Sequence, residues 1–219
     1  MVTTEHLDLA DIPQGAVLRS VTAQRSRFSH RPAVRVSLTD QVSRDGVAGV
    51  DFVDQPTFVQ IPTAFATGKI SVDIASRLRP DAPADARGFA GIAYRIGAGE
   101  KPPFEAVYLR PTNGWHVAPP DGPRRERAIQ YFAYPDWPYN RLRDERPNGG
   151  YEAAADIRLD AWIRLTITVR ATSLSAAVNG TTVLELPQTL AATPRGAVGL
   201  FVDIGTDAHF SNLSVVHDD

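Results

Sequence analysis

The 219-residue chain contains no cysteine, which excludes a disulfide framework, a thiolate metal site and a cysteine nucleophile. No apolar run approaches the ~18 residues that a membrane-spanning helix needs. The N-terminus, MVTTEHLDLADIPQGAVL, lacks the basic-then-apolar order of a secretory signal. Lysine is nearly missing: the 23 basic residues are 21 arginines plus Lys69 and Lys101. Set against 25 acidic residues, they leave a net charge of −2, without the basic surplus that nucleic-acid or anionic-membrane binders carry. These absences together predict a cytoplasmic protein with neither nucleic acid nor membrane as partner. Glycine motifs for phosphate loops, dinucleotides and the serine-hydrolase elbow are missing as well, so those chemistries have no anchor here.

Helical periodicity is scarce. In its place stand twelve short alternating or β-branched runs, among them AVRVSL (33–38), GKISVDIAS (68–76), FEAVYLRP (104–111), WIRLTITVRA (162–171) and GAVGLFVDI (196–204). Gly, Pro, Asn and Asp separate them, which is the pattern of an all-β sandwich or barrel. In AAVNGTTV, Asn179-Gly180 sits between two such runs and predicts a two-residue hairpin, since a type I′ turn needs positive φ at both central positions. No repeat or linker divides the sequence, which reads as one domain over 1–219. In WIRLTITVR, Ile163, Leu165, Ile167 and Val169 form the core side, and Trp162 is expected to cap the end of that core.

WIRLTITVRATSLSAAVNGTTVLEL resembles the tryptophan strand, return strand and Asn-Gly hairpin of the concanavalin A-like lectin/glucanase superfamily. GAVGLFVDIGTDAHFSNLSV resembles its closing pair of strands. GFAGIAYRI followed by FEAVYLRP resembles the middle strands of laminin-G-like and 3-keto-disaccharide-hydrolase-like members. The resemblance spans Lys69 to Val216. It implies an all-β, concanavalin A-like jelly-roll sandwich of two antiparallel sheets, with a carbohydrate or glycoside ligand on the concave face. One scaffold in this superfamily serves lectins, binding modules, glycosidases and lyases. The Glu-x-Asp-x-x-Glu strand motif of its retaining glucanases is missing, which argues against their double-displacement mechanism. The resemblance also implies no cofactor beyond a structural Ca²⁺, for which Asp203, Asp207 and Asn212 are the candidate ligands.

The richest stretch is QYFAYPDWPYNRLRDERPNGGYE, Gln130 to Glu152, with four of the six tyrosines, Trp137, three prolines and three arginines. Aromatic rings stack on the CH faces of sugars, while amides and guanidinium forks bond their hydroxyls and carboxylates. Gln130, Tyr134, Trp137, Arg141 and Arg143 are therefore candidate ligand contacts, on a proline-stiffened loop. Strand parity in FEAVYLRP separates Phe104, Ala106, Tyr108 and Arg110 from Glu105, Val107 and Leu109. Tyr108 and Arg110 join the candidate cleft, followed by Asn113 and His116. Glu152 and Asp136 are the candidate catalytic carboxylates, since glycoside hydrolysis uses a pair. The reading is a carbohydrate-active protein that cleaves a glycoside, with arginines suited to an acidic or oxidised sugar. The alternatives are a non-catalytic lectin-like protein and a β-sandwich protein-interaction module. Oligomeric state is left open.

Overall fold

The computed structural model describes residues 3–116, 122–190 and 193–218. In chain order the strands are β1 (Thr3–Leu7), β2 (Val17–Arg19), β3 (Val21–Phe28), β4 (Arg31–Leu38), β5 (Phe58–Phe65), β6 (Gly68–Leu78), β7 (Ala90–Ile96) and β8 (Phe104–Leu109). They continue with β9 (Ile129–Tyr134), β10 (Glu152–Ala153), β11 (Ile163–Val169), β12 (Leu174–Val178), β13 (Thr181–Leu186), β14 (Gly196–Val202) and β15 (Thr206–His217). Among the described residues two short α-helices, α1 (Asp40–Asp45) and α2 (Tyr139–Glu145), and two 3-10 turns, Pro111–Asn113 and Gly122–Glu126, interrupt them.

All pairings are antiparallel, in two sheets. One runs β13-β12-β11-β6-β15-β4-β3, with β1 also on β15; the other runs β10-β9-β8-β7-β14-β5-β2. Alternation explains the layering. On β11, Ile163, Leu165, Ile167 and Val169 are buried while Arg164, Thr166 and Thr168 are only partly so. Their apolar side meets Ile92, Val107, Leu109 and Leu200 of the second sheet in one core cluster. Full burial of each such side chain contributes about 1.5–3 kcal/mol. Asn179 (φ 49°) and Gly180 (φ 87°) form the expected left-handed pair in the β12–β13 hairpin.

One charged pair, Arg95 and Glu105, lies inside this core. Glu105 accepts from the Arg95 guanidinium (3.0 Å), from the Tyr94 hydroxyl (3.1 Å) and from the Tyr131 hydroxyl (2.6 Å). Arg95 also donates to the carbonyls of Ala66 and Arg170.

The other face of the second sheet carries a row that crosses all seven strands: Arg19, Phe58, Phe201, Gly91, Tyr108, Gln130 and Glu152. At Gly91 a Cβ would come within 2.1 Å of the Val107 carbonyl and 2.7 Å of the Tyr108 Cβ, so only glycine fits beside Tyr108. The aromatic residues of this face interlock. Phe104 meets Phe58, Phe132 and Tyr134, and Phe201 meets Tyr108 and Phe132, at centroid separations of 5.0–5.5 Å. The segment 46–57 and α2 lie against this layer: Phe52, Trp137 and Leu142 pack on it, and the Tyr139 amide ties the two segments at Asp54. The face expected to lie open is largely closed.

Other expectations need correction. Among the described residues fifteen strands form, because the N-terminal β1, β2 and β3, polar in sequence, pair at sheet edges and on β15 and β4. The alternating run YEAAADI (151–157), one of the twelve, forms only the two-residue strand Glu152–Ala153. The stretch read as an irregular loop contains α2, which starts after Pro138 and buries Leu142. Trp162 does not cap the core. It shares parity with Arg164, is half-buried, and sits edge-on to Phe28 (5.5 Å) with the Arg31 guanidinium 4.5 Å from its ring centroid.

Candidate functional site

A cleft of about 230 Å³ opens where β8 and β14 end and β7 begins, bordered by the 46–57 segment and α2. Its floor is Tyr108, Arg110, Asp54 and Asp203. Its walls bring further arginines: Arg87 from the loop before β7, Arg124 and Arg127 from the turn before β9, and Arg143 from α2.

The floor is a hydrogen-bonded hub. Arg110 donates to Glu152 (2.5 Å), to the Tyr108 hydroxyl (2.8 Å) and to Gln130 Oε1 (3.0 Å). Glu152 also accepts two bonds from Arg143 (2.8 and 2.5 Å) and lies 3.5 Å from Arg127. Burial works against the charge on Arg110, but Tyr108, Glu152 and Asp54 outweigh it and hold the guanidinium above its ordinary range. Burial likewise pushes the Glu152 carboxyl up, yet the bonds from Arg143 and the charge of Arg110 win and keep it below its usual range. The rings are held by the same cations, with Arg143 and Arg110 lying 4.7 and 5.6 Å from the Tyr139 ring centroid.

Asp54 is the unusual member. It is 1% exposed. One carboxyl oxygen accepts from the Tyr139 amide (2.6 Å), and the other, Oδ1, has no hydrogen-bond partner. Burial, then the charge of Asp203, pushes Asp54 up to about 7, against the pull of Tyr139, Arg110 and Tyr108. Val53 (φ 66°) and Asp54 (φ 57°) are both left-handed, a conformation that costs a β-branched residue on the order of 1–3 kcal/mol. That turn aims both amides at Asp203, whose carboxylate accepts from Val53 N (3.0 Å), Asp54 N (3.0 Å) and Ile204 N (2.7 Å). Burial raises Asp203 too, and those three amides oppose it. On the wall, burial and the like charges of Arg124 and Arg110 pull Arg87 below its ordinary range, with Asp85 opposing. Arg87 itself donates to the carbonyls of Ala84 (2.8 Å) and Ala86 (2.7 Å).

No protein-family model matches the sequence, and no curated protein matches it. Among solved structures, a carbohydrate-binding module, CBM66, from Bacillus subtilis matches at TM-score 0.54 and 10% identity, covering 92% of this chain and 97% of that one. A Bacillus subtilis protein of unknown function with a galectin-like fold matches at TM-score 0.58 and 11% identity, covering 99% and 98%. A Parabacteroides distasonis protein named as a candidate glycosyl hydrolase matches at TM-score 0.58 and 10% identity, covering 98% and 100%. The chain folds as a concanavalin A-like jelly roll. At these identities the likeness concerns the fold.

Within the jelly roll, Tyr108, Arg110, Asn113, Gln130, Arg143 and Glu152 lie together at the cleft or in the network beneath it. Tyr134 lines an adjoining cleft. The structure places the remaining candidates away from the cleft. Trp137 lies off the cleft wall: it packs on the core layer, with the guanidiniums of Arg141 and Arg146 at 4.5 and 4.2 Å from its ring centroid. Arg141 is exposed and bonded to Glu145 and the Asp136 carbonyl. His116 pairs with Asp156 (2.7 Å) on the surface, both more than half exposed. The structure does not bring the two candidate carboxylates together: Asp136 is exposed and lines neither cleft, while both oxygens of Glu152 are engaged by Arg110 and Arg143. These bonds hold Arg110 and Arg143 in place.

The calcium ligands do not fit a metal either. Asp203 is occupied by backbone amides, Asp207 by Arg35 (2.5 Å), and the Asn212 amide donates to Asp73 (2.9 Å). Among the described residues no cluster of three His, Cys, Asp or Glu side chains could hold an ion. The sequence reading missed Asp54, Asp203's place on the floor, Arg87 and Arg127. The signal near Asp54 is the glycine-containing, irregular break GVAGVDFVDQPT before β5, which marks a loop without marking a site.

Proposed function

We propose that the protein binds a carbohydrate carrying an acidic group, with the carboxylate received by the arginine cleft. The observation that carries this reading is the convergence of Arg87, Arg110, Arg127 and Arg143 on one small concave site where Asp54 and Asp203 are buried, Glu152 is already bonded to Arg110 and Arg143, and Asp85 stands exposed in the lining. A guanidinium matches a carboxylate with two parallel bonds, and low local dielectric strengthens them. The jelly-roll fold, shared with a carbohydrate-binding module, supports sugar as the ligand class. Calorimetric titration with glucuronate, galacturonate and their neutral parent sugars tests it. A uronate should bind and its neutral parent should not, and Arg143→Ala should weaken the uronate at least about tenfold, the equivalent of one charge-assisted contact. Equal response to neutral and acidic sugars would reject the reading.

A second reading, cleavage of the bound glycoside, has its own support in Asp54. A carboxyl poised near neutrality in a cleft is suited to donate a proton to a leaving oxygen. Product analysis on acidic oligosaccharides with the native chain and with Asp54→Asn tests it: cleavage should occur and vanish in the variant. Cleavage that survives the substitution would remove Asp54 from the chemistry.

A further inference from the structure

The arginine cleft does not end at Asp54. A second cleft of about 430 Å³ lies on the other side and shares Val53, Asp54, Asp85 and Tyr139 with the first. Its character is opposite. No arginine or lysine lines it; its own surfaces are Tyr134, Pro135, Pro138, Asn140 and the backbone around Gly49. Tyr134 is preset, its ring stacked on Phe104 at 5.4 Å with an interplanar angle of 22°. No atom lies within 4 Å of the place a Cβ would take at Gly49, so the mouth there is open. Flat apolar rings beside an exposed amide suit the CH face and hydroxyls of an uncharged sugar. The arginine cleft alone falls below the ~300–1,000 Å³ usual for small-ligand sites, whereas the two joined fall within it.

We infer that the two clefts are adjoining subsites for one ligand, an acidic sugar unit joined to a neutral one. The acidic unit sits among Arg87, Arg110, Arg127 and Arg143, and the neutral unit sits against Tyr134, Pro138 and Asn140. The glycosidic link crosses the shared wall of Asp54 and Tyr139. This inference rests on the acidic-sugar reading of the arginine cleft, and it adds the length and order of the ligand.

The test is calorimetry with three probes: a free uronate, a panel of disaccharides in which that uronate is α- or β-linked to a neutral hexose or pentose, and the neutral sugar alone. At least one disaccharide should bind tenfold or more tighter than the uronate. Asn140→Ala, at an exposed position, and Tyr134→Ala should each shrink that gain while leaving uronate affinity within about twofold. Thermal melts of both variants check that the fold persists, and Asn140→Ala carries the test if Tyr134→Ala unfolds. Arg143→Ala should weaken uronate and disaccharide alike. A uronate that binds while no disaccharide binds tighter, or a gain untouched by Asn140→Ala, overturns the two-subsite inference and leaves the acidic-sugar reading standing. Failure of the free uronate and every disaccharide to bind overturns both.

Discussion

Two arginine–glutamate pairs are buried in this sandwich, and their surroundings differ. Arg95 and Glu105, between the sheets, are 2% and 1% exposed. Each of their polar atoms closes on a fixed neighbour: Tyr94 and Tyr131 on Glu105, two backbone carbonyls on Arg95. Arg110 and Glu152, beneath the cleft, are joined by Arg143 and Arg127 on the same carboxylate, and Arg110 adjoins a carboxyl with an unpartnered oxygen. The core network balances one charge with one charge and satisfies the remainder, so it is stable and inert. The cleft network gathers several cations around one anion beside an unsatisfied acid. A buried network left incomplete is costly unless something else completes it. The difference separates a structural ion pair from the proposed binding site, although both contain a buried Arg, a Glu and tyrosines.

Breaking the core pair should have the largest effect on folding. Arg95→Met strands Glu105 without a counter-charge and should cost about 3–5 kcal/mol, read from urea melts, with acidic-sugar affinity unchanged in the folded fraction. A loss below about 1 kcal/mol would mean that the tyrosine hydroxyls alone support Glu105.

Asp54 sharpens the contrast from the cleft side. Its folded pKa of about 7 lies above the ordinary carboxylate value, so between about pH 4 and pH 7 the folded chain holds a proton that the unfolded chain releases. Its contribution to stability therefore falls as pH rises through that window. Asp54→Asn removes the penalty, and the amide can still accept from the Tyr139 N–H. Relative to the native chain, the variant should be about 2–3 kcal/mol more favoured at pH 8 than at pH 5. A difference independent of pH would show that Asp54 titrates as an ordinary carboxyl.

The smallest stability effect should come from Arg143→Ala. Arg143 is 30% exposed and Arg110 remains on Glu152, so the cost should stay below about 1 kcal/mol even as uronate binding weakens. A large destabilisation would make Arg143 a structural member like Arg95.

The strands of the sandwich were legible because alternation reports burial directly: β11 and the Asn179-Gly180 hairpin form as the pattern indicates. Parity on β8 also separated Glu105, in the core, from Tyr108 on the cleft side. Part of the site followed, since Gln130 and Glu152 share the Tyr108 row. The rest depends on geometry that composition does not encode. Asp54 reaches the floor only because Val53 and Asp54 take left-handed backbone, which neither residue type signals. The seven-residue α2 is too short for helical periodicity to register, and Trp137 is taken by arginines that only α2 brings alongside. Trp162 was misplaced by treating it as the end of the apolar set, when one step of alternation puts it on the opposite face.

Nuclear magnetic resonance of the arginine side-chain Nε–Hε groups tests the central claim most directly, because it reads both networks in one sample. Titration with glucuronate or galacturonate should shift Arg87, Arg127 and Arg143, whose side chains form the cleft wall, and leave Arg95 unmoved. The neutral parent sugar should shift none of them at the same concentration. Cleft resonances that stay fixed under saturating acidic sugar, or that move equally with the neutral sugar, would contradict the account.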